Sequence, residues 1–476
     1  MEEAAAIPQN NRETGEVVSC KNYMEEFKKV NAIAMPMIAA TVAQYLLRVS
    51  PIFMVGHLGQ LQLSSVSIAT SFSNVSGFSV LFGMSTALET LCGQAFGARQ
   101  YHRLGAYTYG AIICLFIVCL PIILLWVFTD KLLILTGQDP TIATEARKYL
   151  IWLIPTLFPY AILQSLVRFL QTQSLITPIL LSSVAALAFQ VPLCWILIFK
   201  LKLGIAGAAS SISISYWLYA IFLGLYVKCS PACKETRVST GALNTFREFF
   251  RFAIPSVVML CLEWWAFELV ILLSGLSPNP KLEASVLSIC YTMTTIHGHI
   301  PYSFAVAVST RVANELGAGN PRAAKVAVSM VLMESVTEFV VASIVLFLCR
   351  SRLGHAFSDE KQVIHYVKKM TPLLCLSILM DGTQVVLSGV ARGSGWQRLG
   401  AYVNLGSYYL VGIPVALVLG FALHLRGIGL WGGLVSGTVV QAIIFLIITA
   451  LTNWEKQATE ARKRIFEREE EKEMRK

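Results

Sequence analysis

Six acidic residues lie inside apolar stretches where a charge is out of place: Glu89, Glu263, Glu268, Glu334, Glu338 and Asp381. An ionisable group at the centre of a bilayer costs at least about 2.5–3.5 kcal/mol on insertion scales, so such residues are candidates for function. Glu263 follows Arg251 by 12 residues, Asp381 precedes Arg392 by 11, and His297 precedes Arg311 by 14. At 1.5 Å per residue along a helix, the three sit about 18, 17 and 21 Å from one face of a membrane. Three groups able to take a proton, from three segments, thus share one level. Away from water an ionised carboxylate is disfavoured, and either a proton or an organic cation relieves it. Proton uptake therefore expels a bound cation, which is the exchange step of an antiporter. The plainer alternative is that each acid is satisfied by hydrogen bonds inside a helix bundle.

Glu263 and Asp381 are accordingly the candidate proton-coupling and substrate-binding residues. Trp264 and Trp265 directly follow Glu263, and Tyr291 precedes His297. Aromatic ring faces attract cations by about 0.5–2 kcal/mol each, so these residues, with His297, Glu268 and Gln384, form the candidate cavity lining. His299 points to another face. Glu334 and Glu338 are one helical turn apart, share a face and are expected to be structural. Arg48, the one basic residue deep in an apolar stretch, is a candidate to neutralise one of the acids. Glu89 and Glu268 sit near segment ends, where a carboxylate is expected to reach water.

The elements that must position these residues follow from composition. Of 476 residues, 55% are hydrophobic and 14% charged, with a mean hydropathy of +0.63. A soluble domain carries about 25% charged residues, so a disordered or nucleic-acid-binding chain is excluded. The net charge of +10 falls in short loops and at the two ends. No charge occurs between Leu104 and Thr129, Leu203 and Val227, or Gly427 and Trp454. About 20 apolar residues span a bilayer as a helix.

Cutting the apolar runs at charges, Gly and Pro predicts twelve spans, at 29–56, 62–87, 104–129, 146–169, 176–199, 203–227, 249–276, 284–308, 324–349, 367–391, 397–421 and 427–452. An even number puts both termini on one side. Roughly twice as many Lys and Arg fall on that side as on the other, which predicts cytoplasmic termini. Residues 1–28 read as a polar cytoplasmic tail without signal-peptide features, and 454–476 as a charged, solvated helical tail. The 11 cysteines lie mostly in apolar runs and suggest neither a disulfide framework nor a metal site.

The twelve spans read as six repeated. TLCGQAFGA at 90–98 lies over TRVANELGA at 310–318 with an offset of 220, and VPLCWILIF at 191–199 over IPVALVLGF at 413–421 with an offset of 222. Six spans per copy gives both halves the same orientation, related by an axis along the membrane normal. The expected fold is an all-α membrane protein of twelve transmembrane helices in two pseudo-symmetric six-helix lobes around a central cavity. The lobes are 29–227 and 249–453, joined by a linker at 228–248.

Five strings together resemble the plant branch of the multidrug and toxic compound extrusion (MATE) transporters: MVGHLG at 54–59, TLCGQAFGA at 90–98, LEWWAFE at 262–268, STRVANELGAG at 309–319 and MDGTQVVLSGVARGSGWQ at 380–397. The resemblance runs from about residue 28 to 455. It implies proton-coupled efflux of organic compounds, with proton-linked acids in the seventh and tenth helices that match Glu263 and Asp381. Many bacterial relatives carry an aspartate in the first helix, five residues before the glycine matching Gly56; this chain has Pro51 there, which moves coupling to the second lobe. Citrate-exporting plant members have a long insertion between the second and third helices, whereas the corresponding link here, 88–103, is short.

The reading is a proton-driven antiporter that exports amphipathic, often cationic, compounds such as alkaloids and xenobiotics from the cytosol. It is expected to need no cofactor beyond the proton gradient, to act as a monomer, and to lie in the plasma membrane, with the vacuolar membrane as the alternative. Organic-acid export within the same family is the first rival. An ion channel is disfavoured by the two-lobe repeat and isolated midplane acids. An enzyme is disfavoured because no HxxxxD, HExxH or comparable cluster appears.

Overall fold

The computed structural model describes residues 20–237 and 242–473. Twelve helical rods run in chain order: α1 (Cys20–Val55), α2 (Gln60–Gly97), α3 (Tyr101–Val127), α4 (Pro140–Thr172), α5 (Thr177–Lys200) and α6 (Gly204–Cys229) form the first lobe. The second lobe contains α7 (Phe246–Ser274), α8 (Pro280–Ala318), α9 (Pro321–Ala356), α10 (Lys361–Ser394), α11 (Gln397–Ala422) and α12 (Arg426–Leu451). Eleven rods are long and apolar enough to cross a membrane; α8 is diluted by Arg311, Glu315 and its Ser, Thr and His residues, yet at 39 residues it exceeds the length required. α1 begins at Cys20, inside the stretch expected to be a soluble tail, while residues 1–19 of that tail lie outside the described residues.

Local chemistry explains where the rods start and bend. Pro140, Pro280 and Pro321 open α4, α8 and α9, where a missing N–H leaves no bond unmade. Asp139 caps α4 by accepting from Thr141 N (2.8 Å) and Ile142 N (3.3 Å), and these bonds hold its carboxyl below the usual carboxylate range.

The repeat is written into the backbone. π-helical turns at Ile196–Lys200 in α5 and Val418–Ala422 in α11 lie 222 residues apart. The turns that follow match at the same offset: Lys202 and His424 have φ of 54° and 56°, and Gly204 and Arg426 have 55° and 54°. Gly207 packs on the backbone of Leu197 in α5, and Gly429 packs on that of Leu419 in α11. A left-handed residue closes α2 at Arg99 (φ 61°) and α8 at Gly319 (φ 80°), 220 residues apart. Both offsets are those of the sequence repeat.

The two repeat strings meet at the end of the molecule where α2 and α8 finish. Asn314 Nδ2 donates to Thr172 O at 3.1 Å, and Gln94 Nε2, its counterpart, donates to Gly393 O at 3.1 Å. Between them, Gly97 faces the carbonyl of Asn314 and Gly317 faces that of Gln94, both too close for any Cβ. This closed seam joins the lobes through main chain. At the same end, Glu26 of α1 holds Arg311 of α8 through two bonds, Nε to Oε1 at 2.6 Å and Nη2 to Oε2 at 2.9 Å.

Two expectations about charge are corrected. Glu89 does not reach water: it is fully buried beside the seam, 2.9 Å from Arg168 Nη1 of its own lobe and 3.0 Å from Arg392 Nε of the other. Ser309 Oγ donates to it at 2.6 Å. Proximity to a helix end does not imply exposure where a second lobe covers that end. Arg48 forms no ion pair with any of the acids among the described residues.

A further helix, α13 (Trp454–Glu473), lies across the closed end. It is helical as expected but not freely solvated, because Trp454, Ala458, Ala461 and Ile465 form a buried stripe at helical spacing. Trp396 Nε1 donates to Gln457 Oε1 at 2.9 Å, and Arg462 and Phe466 border a recess of about 310 Å³ shared with Gly97 of the first lobe and Gly317 of the second. Ala461→Glu places a charge against a fully buried surface, a change disfavoured by several kcal/mol. The expected result is undocking of α13, read as roughly tenfold faster tryptic cleavage after Arg462 to Arg464, since cleavage follows the population of the open form.

Candidate functional site

α7 and α10 bring Glu263 and Asp381 together at the level counted from sequence. Gln384, fully buried one turn beyond Asp381 on α10, donates through one Nε2 to Glu263 Oε1 at 2.9 Å and to Asp381 Oδ1 at 3.0 Å. The two carboxylate oxygens therefore lie within about 6 Å of each other, close enough to interact strongly in a medium of low dielectric. Both acids are half-buried. Next to Asp381, Gly382 accepts the ring of Phe339 from α9 against its backbone, where a Cβ would stand 2.7 Å from the ring.

A layer of neutral polar groups supports the pair. Asn404 of α11 donates to Met259 O at 2.6 Å and reaches Glu263 Oε2 at 3.5 Å. Gln441 of α12 orients it, donating to Asn404 Oδ1 at 2.7 Å. Ser388 Oγ donates to Gln384 Oε1 at 3.3 Å, and the buried Tyr408 lies within electrostatic reach of both acids. These second-lobe residues were not singled out in the sequence. Asn404 and Gln441 carried a usable signal, as uncharged hydrogen-bonding side chains inside apolar spans; Tyr408 did not, being one aromatic among many.

The other expected lining residues separate. His297 Nε2 is 3.4 Å from Glu338 Oε2 of α9, and the ring lies within electrostatic reach of Asp381. Trp264 and Trp265 turn to the first lobe, where Trp264 stacks on Phe82 at 5.6 Å and Trp265 Nε1 donates to Val75 O at 3.3 Å. Glu268 likewise faces α2, accepting from Ser71 Oγ at 3.3 Å. Tyr291 packs against Phe267 with ring centroids 6.1 Å apart. The tryptophans thus hold α7 against α2, while Gln384 is the amide between the acids. His299, as expected, turns elsewhere and meets Tyr45 of α1 at 5.1 Å.

The arrangement is a pair of acids on two helices, bridged by one amide, within one lobe of a two-lobe bundle. It provides two ionisable carboxyl groups side by side within the second lobe and no metal-ligating set of three or more His, Cys, Asp or Glu among the described residues. The MatE family model matches residues 36–196 and 255–418, one segment in each lobe. The chain belongs to the MATE family.

Its relatives cover it nearly end to end. Protein DETOXIFICATION 9 of Arabidopsis thaliana is 52% identical over 443 residues, which is 93% of this chain and 92% of that protein. Protein DETOXIFICATION 14 of the same plant is 52% identical over 453 residues, 95% of this chain and 93% of that protein. The crystal structure of the eukaryotic MATE transporter AtDTX14 superposes with a TM-score of 0.90 at 52% identity, covering 93% of this chain and all of that one. An outward-facing multidrug resistance MATE transporter superposes at 0.82 with 16% identity, and so shares the fold. This MATE chain is an integral, multi-pass membrane transporter for efflux of multidrug or toxic compounds, and not an enzyme.

Proposed function

We propose that the chain exports amphipathic, often cationic, organic compounds in exchange for protons, with Glu263 and Asp381 as the exchange site. The observation that carries this reading is the single Gln384 amide shared by the two carboxylates. Two negative charges so close repel each other, and a proton or an organic cation relieves the repulsion in the same place. The two ligands therefore compete, and alternate occupancy couples their movements. A gradient of one pH unit supplies about 1.4 kcal/mol per proton. A potential of 100 mV adds about 2.3 kcal/mol per charge.

The Lys and Arg bias supports placing the closed end, with both termini and α13, in the cytosol. The Glu263 pair then faces loading from the acidic side in the closed-seam state. The link between α2 and α3 is only Ala98–Gln100, which favours organic bases over organic acids as cargo. Plasma-membrane placement and a monomeric unit complete the proposal.

Reconstituted vesicles test it. With an imposed pH gradient, uptake of a panel of organic amines should fall to background on adding a protonophore. Glu263→Gln and Asp381→Asn should each reconstitute normally and lose proton-driven accumulation by at least about tenfold. Gradient-dependent uptake retained in both variants would remove the exchange site.

A further inference from the structure

A groove of about 1090 Å³ runs along α9 on the side where the lobes part, bounded by α1 of the first lobe and by α8 and α10 of the second. Its size is that of a cavity for a drug-sized molecule. The walls are apolar and rich in methionine, and Met35, Ile296, Met333 and Val341 are each more than half exposed, so the groove opens sideways to surrounding lipid. Methionine walls reshape around different apolar bodies and suit a promiscuous site.

In this apolar setting stand two carboxylates, Glu334 and Glu338, on one face of α9. Glu334 lies 13 residues beyond Pro321, about 20 Å along the helix, and Glu338 one turn farther. Neither carboxylate has an arginine or lysine partner among the described residues. Glu334 receives only a neutral amide, Asn31 Nδ2 of α1, at 3.2 Å from both oxygens. Glu338 Oε2 accepts no hydrogen bond among the described residues and has the His297 ring at 3.4 Å. Among the described residues, no arginine or lysine lines the groove. The contrast with Glu89, gripped by two guanidinium groups, is direct: that acid is structural, and these two have no guanidinium or ammonium partner among the described residues, only the His297 imidazole beside Glu338.

We propose that this groove is a second binding site, for amphipathic organic cations admitted from the lipid between α1 and α9, with Glu334 and Glu338 as countercharges. It is distinct from the Glu263 and Asp381 pair, and His297, which borders the groove and acts electrostatically on Asp381, lies between the two. The chemistry requires an apolar body of drug size to fill the methionine walls and one positive charge to meet the acids. A neutral acyl chain satisfies the walls and leaves the acids unmet. The proposal rests on the export reading for the fate of the cation alone, so binding is measured at equal pH on both sides, where coupling is not engaged.

The probe is radiolabelled tetraphenylphosphonium, a permanent cation without hydrogen-bonding groups, added to the full chain in phosphatidylcholine nanodiscs. Wild type should bind it saturably and tetraphenylborate, its anionic counterpart, at least about tenfold more weakly. Glu334→Gln with Glu338→Gln should weaken binding at least about tenfold, as should Met333→Trp, which fills the groove and keeps both acids. Glu263→Gln with Asp381→Asn should leave a saturable class unchanged. Cys349, exposed and lining the groove, should be protected by the probe from maleimide labelling mapped by mass spectrometry. The proposal is overturned if Met333→Trp binds like wild type, if tetraphenylborate binds equally well, if the Glu263 and Asp381 double variant loses all saturable binding, or if a co-purified phospholipid resists displacement by the probe. None of these results bears on proton coupling, which stands or falls with the vesicle assay.

Discussion

Glu89→Gln is expected to destabilise the protein by about 3–5 kcal/mol, the range for removing one partner of a buried ion pair, because two guanidinium groups lose the carboxylate they share. Arg168 is fully buried and Arg392 nearly so, and neither can turn to water. Arg168 keeps Gln171 Oε1 at 2.8 Å and the face of Phe82 at 4.9 Å, neither of which carries a full negative charge. Thermal unfolding in detergent should show a large fall in Tm with loss of recoverable protein. Adding Arg168→Met and Arg392→Met to the variant should recover most of it, because a neutral, packed triad needs no countercharge. A Tm within a degree or two of wild type for Glu89→Gln alone would show that solvent reaches the site. Arg392→Met alone should behave differently. It breaks the bond across the lobes and keeps the one within a lobe, so it should loosen the closed end more than it lowers Tm.

Gly97→Val and Gly317→Val are expected to prevent the seam from closing. In each, a new Cβ would overlap a backbone carbonyl, of Asn314 or Gln94, and backbone cannot move aside as a flexible side chain does. Overpacking costs about 1–3 kcal/mol where the structure relaxes around it. Here relaxation means separating α2 from α8, so the penalty falls on one conformation alone and shifts the equilibrium by about five- to a hundred-and-fortyfold, at about 1.4 kcal/mol per factor of ten. Spin labels at Arg99 and Asn320, on opposite sides of the seam, should report a longer mean separation in both variants. Transport should fall by at least about tenfold with little change in the amount of folded protein. Because the two glycines are counterparts, the two variants should match each other; a severe defect in one and none in the other would refute the equivalence of the contacts.

Much of this architecture was legible before any coordinates. Most charges fall at loops and segment ends, so span positions follow from where Lys, Arg, Asp and Glu cluster; the repeat offsets of 220 and 222 reappear as matched φ values and π-helical turns. Glu263 and Asp381 stand out because an acid amid apolar residues is conspicuous, and counting from Arg251 and Arg392 puts the two at one level, where a shared amide now joins them. What stayed hidden depends on distances between helices. Gln384 looked like one more lining residue until it proved to be the bridge. Glu89 looked exposed because its helix ends nearby, but Arg168 of its own lobe and Arg392 and Ser309 of the second lobe enclose it. Trp264 and Trp265 adjoin an acid in sequence, yet a helix turns about 100° per residue, and they face Phe82 and Val75 instead.

The seam at Gly97 and Gly317 bears on insulation. A gate plugged by bulky side chains would have to be matched to each passing molecule, and any misfit would leave a file of water along which hydrogen ions leak down their gradient. Here main chain meets main chain on both sides of the pseudo-twofold axis, so the barrier closes to the same tightness whatever was last released at the opposite end. On the proton-exchange reading proposed above, a transporter tolerant of many cargo shapes can thereby keep the electrochemical gradient that would drive it.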